Sequence, residues 1–395
     1  MLAITGTADE TTQSVIIKQL VLKRPWKLYV SPNRENLRIS VIKCKRENMF
    51  QQLAWLVNMV KEKGTATPKC IIFCNGTLTD IAGVLNYLLM ELGKKAYSPQ
   101  DSRTSDNCII GIYHSLTLKK YKARVVESFK GDGKKRIVIA SSALSMGVNF
   151  PDVRYIIHWG PARNMLDYHQ ESGRGGRDNK LTHVLTIYYG QQVSFCEDAV
   201  KAFLKSNGCY RVDAYKPFDK RISPLEPSHD CCKQCAEVCR CSNGTCTAPR
   251  PAFELEQVSS VPQPTMSRPI SPSDKRDLKQ ALTEMVQLII PTLNLLSENI
   301  SGCYGDDIVD ALVEKAHTTF TVLDVMEHIP LFSVNHAIKI LEVFHEMFED
   351  IPNLDIMAEL FGEERQIDSP ASLPANFVFG EIDYESPVEN EDEFI

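Results

Sequence analysis

"KCIIFCNGTLTDIAGVLNYLLMEL", residues 69–92, changes its periodicity part-way along. After Lys69, residues 70–74 form an unbroken apolar run, the pattern of a strand buried on both faces. After the polar break Asn75-Gly76-Thr77, the residues Leu78, Ile81, Leu85, Leu88 and Leu92 recur at helical spacing and share one face. A buried strand feeding an amphipathic helix is the unit from which parallel sheets are built.

The alternation continues on both sides. Short apolar runs at 38–44, 107–113, 135–140, 153–159 and 183–189 are predicted strands. Helical-period segments at 47–62, 117–130 and 165–171 separate most of them. The expected fold class is therefore α/β, a parallel sheet covered on both faces. Ligands of such sheets gather at the carboxyl ends of the strands. Those ends carry "NGT" (75–77), "YHS" (113–115), "SSALSMG" (141–147) and "HWGPARN" (158–164), so the chemistry is expected there.

The chain of 395 residues is long enough for two or three domains, and its 43% hydrophobic content suits a globular protein. No apolar run reaches about 18 residues, so no membrane span is expected. The opening "MLAITGTA" is too short for a secretory signal, so the 13 cysteines are expected as thiols or metal ligands rather than disulfides. The net charge of −6 conceals an asymmetry. Residues 1–250 hold 37 Lys/Arg against 22 Asp/Glu, whereas residues 251–395 hold 7 against 28. A basic body with an acidic end suits a nucleic-acid-binding body, although a solvated surface would give the same count.

"YHQESGRGGRD" (168–178) places Arg174 and Arg177 three apart among Gly173, Gly175 and Gly176. A guanidinium is always charged and presents a rigid fork of donors. Glycines allow a backbone to approach a nucleotide closely. Two arginines so held suit an anion, although a surface loop with local ion pairs would carry the same residues.

The order of motifs over residues 1 to about 240 resembles the second half of a RecQ-family DNA helicase. "AITGTADETT" (3–12) is similar to the family's Thr-Ala-Thr motif. "NRENL" (33–37) resembles its Arg-x-Asn-Leu lead-in to the second RecA-like lobe. "YHSLTLKKYKARVVESF" (113–129) resembles the Tyr-His segment, "IASSALSMGVNFPDVRYIIHWGPARN" (139–164) the segment that grips DNA, and "YHQESGRGGRD" motif VI. Departures are Ala143-Leu144-Ser145-Met146-Gly147 where the family has Ala-Phe-Gly-Met-Gly, Ser141 for Thr, and Gly76-Thr77 for Ser-Arg.

The resemblance implies an ATP- and magnesium-dependent DNA helicase moving 3′ to 5′, in the nucleus, on single-stranded or forked DNA. It makes Arg177 the arginine finger, Arg174 its partner near the phosphates and Gln170 the link between nucleotide and DNA. It places Gly147 and Asp152 at the nucleotide, and Arg34, Asn36, His114, Ser115, Ser141 and Arg163 along the DNA. The phosphate loop Gly-x-x-x-x-Gly-Lys-Ser/Thr and an Asp-Glu-x-His are absent from the sequence. Both belong to the family's first lobe, whose tail end residues 1–24 would form. The chain alone is accordingly expected neither to hydrolyse ATP nor to unwind DNA. The rivals are a non-catalytic DNA-binding or regulatory short form and an RNA-directed relative.

Beyond the lobe (25–195), residues 196–246 are cysteine-rich, and thiolates at this density fit tetrahedral zinc. By the family's pattern of one early cysteine and a later cluster, the expected ligands are Cys209, Cys232, Cys235 and Cys239. Cys231 is held in reserve, with Cys241 and Cys246 competing. Residues 247–273 read as a flexible proline-rich linker, 274–352 as helical and 353–395 as an acidic tail. A winged helix for duplex DNA is disfavoured, because "SVNHAIKILEVFHEMFED" sets Glu342, Glu346, Glu349 and Asp350 against Lys339. A protein partner is the better expectation for that end, beside ordinary core helices.

Overall fold

A computed structural model describes residues 3, 5, 10–115, 117–145, 148–255, 266–289, 298–328 and 333–361. Helix α1 (Glu10–Gln19) precedes the lobe. Six strands follow: β1 (Leu37–Lys43), β2 (Lys69–Cys74), β3 (Ile110–Tyr113), β4 (Ile137–Ala140), β5 (Val153–Trp159) and β6 (Thr182–Tyr188). They form one parallel sheet in the order β1-β6-β5-β2-β4-β3.

The predicted strand-helix unit is present. All six residues of β2 are buried, and α3 (Leu78–Leu92) starts where the period changes. Thr77 and Asp80 close a capping box at its start, the Thr77 N–H donating to Asp80 Oδ2 at 2.7 Å. That satisfies donors a helix start would otherwise leave orphaned. Helices α2 (Ala54–Lys63), α4 (Lys119–Lys130) and α5 (Met165–Ser172) complete the cover. The segment expected as one helix from residue 47 opens instead with two short 3₁₀ turns, Arg46–Asn48 and Phe50–Leu53.

In the cysteine-rich segment, α7 (Tyr210–Tyr215), α8 (Ser228–Cys231) and α9 (Lys233–Val238) pack on the β1 edge, and α6 (Asp198–Leu204) packs on α7. Cys232 bridges to Ile39 of β1. Part of the expected linker is docked rather than free. Residues Ala252–Leu255 form α10, whose Phe253 is buried against Trp55 and His183. Glu254 meets the buried Arg38 at 2.6 Å. An aromatic ring and a partner for a buried guanidinium outweigh the linker composition around them.

The acidic end contains α11 (Pro272–Ile289), α12 (Glu298–Lys315), α13 (Val322–His328), α14 (Val334–Phe348) and α15 (Leu354–Phe361). Helix α14 buries Val334, Ala337, Ile338, Ile340, Leu341, Val343 and Phe344. Arg268 ties the unit together. Its Nη1 and Nη2 donate to the carbonyls of Ala316 and Thr319 at 2.7 and 2.8 Å, and its Nε to Asp350 at 2.8 Å. The unit rests on the lobe through α13 against α3, where a side chain in place of Gly83 would collide with Leu323. Most of the expected acidic tail lies outside the described residues. None of the described helices is long and apolar enough to cross a membrane.

Candidate functional site

The predicted site residues separate onto opposite edges of the sheet. Asn164 caps α5 by accepting from the Asp167 N–H at 2.8 Å. The helix then runs back antiparallel to β5, so its last turn returns to where the strands begin. The Gly176 N–H donates to the carbonyl of Val153, the first residue of β5, and the Thr182 N–H to that of Asn36, just before β1. The arginine loop therefore lies at the amino edge, not at the carboxyl edge where the chemistry was expected.

Within that loop the two arginines differ. Arg177 is exposed; its Nη1 donates to Asn149 Oδ1 at 2.7 Å and its Nε to the Gly173 carbonyl at 3.2 Å. Among the described residues no carboxylate pairs with it. Arg174 is buried and donates through Nη1 to the Val148 carbonyl, and among the described residues its Nε has no partner. Burial, with the neighbouring Arg177 charge, lowers its pKa. An orphaned buried donor beside an unneutralised exposed guanidinium suits an anion.

Arg34 and Asn36, expected on the DNA, hydrogen-bond to the arginine loop in this structure. Arg34 Nη1 donates to the carbonyls of Gly173 and Gly175 at 3.0 and 2.9 Å, and its Nη2 to that of Gly176 at 2.5 Å. Asn36 Nδ2 donates to the carbonyls of Gly176 and Lys180 at 2.8 and 2.9 Å. Gly176 sits at φ +55°, where a Cβ would lie 2.4 Å from Asn36 Nδ2. Here glycine is needed both for its backbone and for the approach.

At the carboxyl edge, Ser115, Ser141 and Gln170 line one cleft with Gly76, Thr77 and Asp167. Gln170 faces this cleft, and Arg174 stands one turn later in the chain at the opposite edge. Arg163 is exposed. His114 is not open to a strand of nucleic acid in this arrangement: it is 4% exposed, and neither ring nitrogen has a partner among the described residues. Phe361 of α15 covers it. Asp152 pairs with the buried Lys69 at 2.8 Å, and that ammonium also reaches the Gly131 carbonyl at 3.0 Å. The acid thus neutralises a buried lysine at the start of β2 and β5. Gly147 lies outside the described residues.

Three further groups escaped sequence reasoning. His158 Nδ1 lies 3.0 Å from Glu171 and its Nε2 3.2 Å from Ser172, all fully buried, which fixes α5 against β5. His169 Nε2 lies 2.8 Å from the Ala214 carbonyl, which ties the same helix to α7. Arg211, with no exposed surface, donates to Asn33 Oδ1 at 2.6 Å, to the Arg34 carbonyl at 3.1 Å and to the Cys231 carbonyl at 3.3 Å. The cysteine module thereby grips the segment that carries Arg34.

Cysteines 209, 231, 232 and 235 form one group whose sulfur atoms lie within 4.8 Å of one another. Cys209 Sγ is 3.5 Å from Cys231 Sγ and 3.9 Å from Cys232 Sγ. Sulfurs bound tetrahedrally at about 2.3 Å from zinc lie about 3.8 Å apart, so the donor set fits that metal. The reserve ligand Cys231 takes the place expected for Cys239. Cys232 caps α9 and puts Cys235 one turn away, but the helix stops at Val238 and the extended backbone at Cys239 leads off.

The family model described as the helicase conserved C-terminal domain matches residues 51–179. A Caenorhabditis elegans protein named ATP-dependent helicase wrn-1 is 27% identical over 260 residues, covering 60% of this chain and 23% of that protein. The ATP-dependent DNA helicase RecQ of Haemophilus influenzae is 28% identical over 189 residues, covering 48% and 26%. The chain carries the helicase conserved C-terminal domain and over that part is similar to RecQ-family helicases. A mimivirus protein (Acanthamoeba polyphaga mimivirus) named as a candidate ATP-dependent RNA helicase is 30% identical over 188 residues, covering 48% and 30%. The chain spans less than a third of the length of each of these relatives. Five of the six strands of the parallel sheet wholly or partly fall in the matched domain or directly beside it, and the loop bearing Arg174 and Arg177 lies inside it.

Proposed function

We propose that this chain supplies the arginine finger and the DNA-gripping lobe of a RecQ-like helicase that moves 3′ to 5′ along DNA, and that it is inactive alone. The observation that carries the reading is the exposed, unneutralised Arg177 on a loop held by Arg34 and Asn36. ATP with magnesium would supply the phosphoryl transfer that drives movement. Arg177 would stabilise the charge developed on that phosphoryl group, a contribution worth about 10³–10⁵ in rate. Arg174 would meet the phosphates beside it. A phosphate loop and an Asp-Glu-x-His, which this sequence does not contain, would form the other wall of the site on a first lobe. Trp26, Leu28 and Val30 are 86%, 77% and 79% exposed, an apolar strip of the kind a first lobe would cover.

For the nucleic acid, Ser115 and Ser141 offer hydroxyls to phosphates, and Arg163 a cation at the same edge. Gln170, on the helix that ends in the arginine loop, would relay the state of one edge to the other. The four-cysteine group would hold a structural zinc and with it the Arg211 grip. A non-catalytic DNA-binding or regulatory short form is the second reading.

The test supplies a RecQ-type first lobe in trans and measures DNA-stimulated ATP hydrolysis. Stimulation by the natural chain but not by Arg177→Ala supports the helicase reading. Equal behaviour of the two chains overturns the finger. Tight DNA binding with no stimulation leaves the short form in its place. Matched single-stranded DNA and RNA oligonucleotides decide between the DNA and RNA substrates.

A further inference from the structure

The cysteine module contains a second set of soft donors that shares no residue with the first. His229, Cys239, Cys241 and Cys246 bring their donor atoms within 4.8 Å of one another. We propose that these four residues bind a second zinc ion, so that the module is a two-metal unit.

The spacing between donors carries the inference. His229 Nδ1 lies 3.5 Å from Cys239 Sγ, 3.4 Å from Cys241 Sγ and 3.5 Å from Cys246 Sγ. Cys241 Sγ and Cys246 Sγ are 3.7 Å apart. A tetrahedral zinc with bonds of about 2.3 Å to sulfur and 2.0–2.1 Å to nitrogen needs edges of about 3.6 Å from sulfur to nitrogen and 3.8 Å from sulfur to sulfur. Four of the six edges already stand at about those separations, and all six lie within 4.8 Å. A disulfide would need sulfurs about 2.05 Å apart.

The backbone is built to present the donors. Ser242 and Thr245 pair as an antiparallel bridge around Asn243 and Gly244, at φ +48° and +86°. Asn-Gly is the favoured pair for a two-residue turn with positive φ at both positions. The turn folds Cys241 and Cys246 onto the same side. His229 is fixed from the opposite direction, because its carbonyl accepts from the buried Arg38 Nε at 2.8 Å. Its other ring nitrogen, Nε2, points toward the Asp230 carboxylate at 3.8 Å. A carboxylate on the far side is the usual company of a metal-bound imidazole.

The experiment measures zinc bound to the full chain, purified under reducing conditions, by mass spectrometry of the metal. The proposal predicts about two zinc per chain, falling to about one in Cys241→Ser/Cys246→Ser and in His229→Ala. Removal of Cys209 and Cys235 should take the other ion, which separates this site from the first. Cadmium-113 NMR of the unmutated chain needs no variant: two resonances are expected, one from four sulfurs and one from three sulfurs and a nitrogen. About one zinc per chain that survives Cys241→Ser/Cys246→Ser overturns the second site, as does a single four-sulfur cadmium resonance or a Cys241–Cys246 disulfide in the reduced preparation.

Discussion

Arg34 donates to the carbonyl oxygens of Gly173 and Gly175, 139 and 141 positions later in the chain, at 3.0 and 2.9 Å. The glycines leave the arginine loop pliable, and Arg34 with Asn36 removes that freedom. Arg34→Ala should therefore act on catalysis through position. With a first lobe supplied, ATP hydrolysis is expected to fall by about 10²-fold, the scale of an ångström misplacement. Arg34→Lys should rescue poorly, since one ammonium cannot reproduce a fork spread over three carbonyls. Steady-state ATPase rates of both variants check this. Full rescue by lysine would mean that charge alone matters.

Arg177→Ala should separate chemistry from folding. The side chain is exposed and makes two hydrogen bonds among the described residues, so the thermal midpoint should stay within about a degree or two of the parent. The assembled ATPase should lose about 10³–10⁵-fold in rate. Differential scanning fluorimetry beside single-turnover hydrolysis makes the comparison.

The cysteine module should reach the arginine loop through Arg211. Arg211→Ala strands several buried acceptors at once, and a loss of about 3 kcal/mol or more is expected from urea unfolding. Chelation of zinc should loosen the same contacts. Hydrogen exchange after chelation should quicken first at residues 209–246 and then at 33–37. Unchanged exchange at 33–37 would mean that the module and the loop are uncoupled.

His114 lies under Phe361, ring centroids 5.7 Å apart and planes 11° apart. Glu359 on the same helix accepts from the Ser105 N–H at 3.2 Å. The acidic end thus covers a residue expected on the DNA track, and Phe361→Ala should tighten binding of single-stranded DNA, as read by fluorescence anisotropy. Burial, helped by the Lys122 charge, pushes the His114 pKa down to about 4. His169 and His183 are likewise pushed down to about 4, chiefly by burial. The unfolded chain titrates these groups near 6.5, so it binds more protons between pH 6.5 and 4. Stability is complete above about pH 6.5, declines through that window and levels below about 4. Urea midpoints across pH 4 to 8 check the sign. In Phe361→Ala the NMR titration of His114 should move up toward 6.5.

The local parts of the fold were legible. The period change at Thr77 placed β2 and α3, and the apolar runs placed the other strands, because burial writes itself into spacing two or four residues apart. Long-range relations leave no such period. Nothing around Arg34 says that it will meet glycines far along the chain, and nothing near Phe253 marks it as docked. The edge occupied by the arginine loop follows from the antiparallel return of α5, a rule of geometry that the motif alone does not display. His229 gave the weakest signal: a lone histidine ten residues before Cys239 joins the cysteines only because α8 and the Asn243-Gly244 turn fold toward each other.

The most direct test of the half-motor account is ATP hydrolysis by the purified, zinc-loaded chain alone, with magnesium and saturating single-stranded DNA. The account predicts DNA binding that weakens steeply with salt, and hydrolysis no faster than the protein-free background. Robust DNA-stimulated hydrolysis, abolished by Arg177→Ala, would contradict it and would mean that this chain builds a phosphate site of its own.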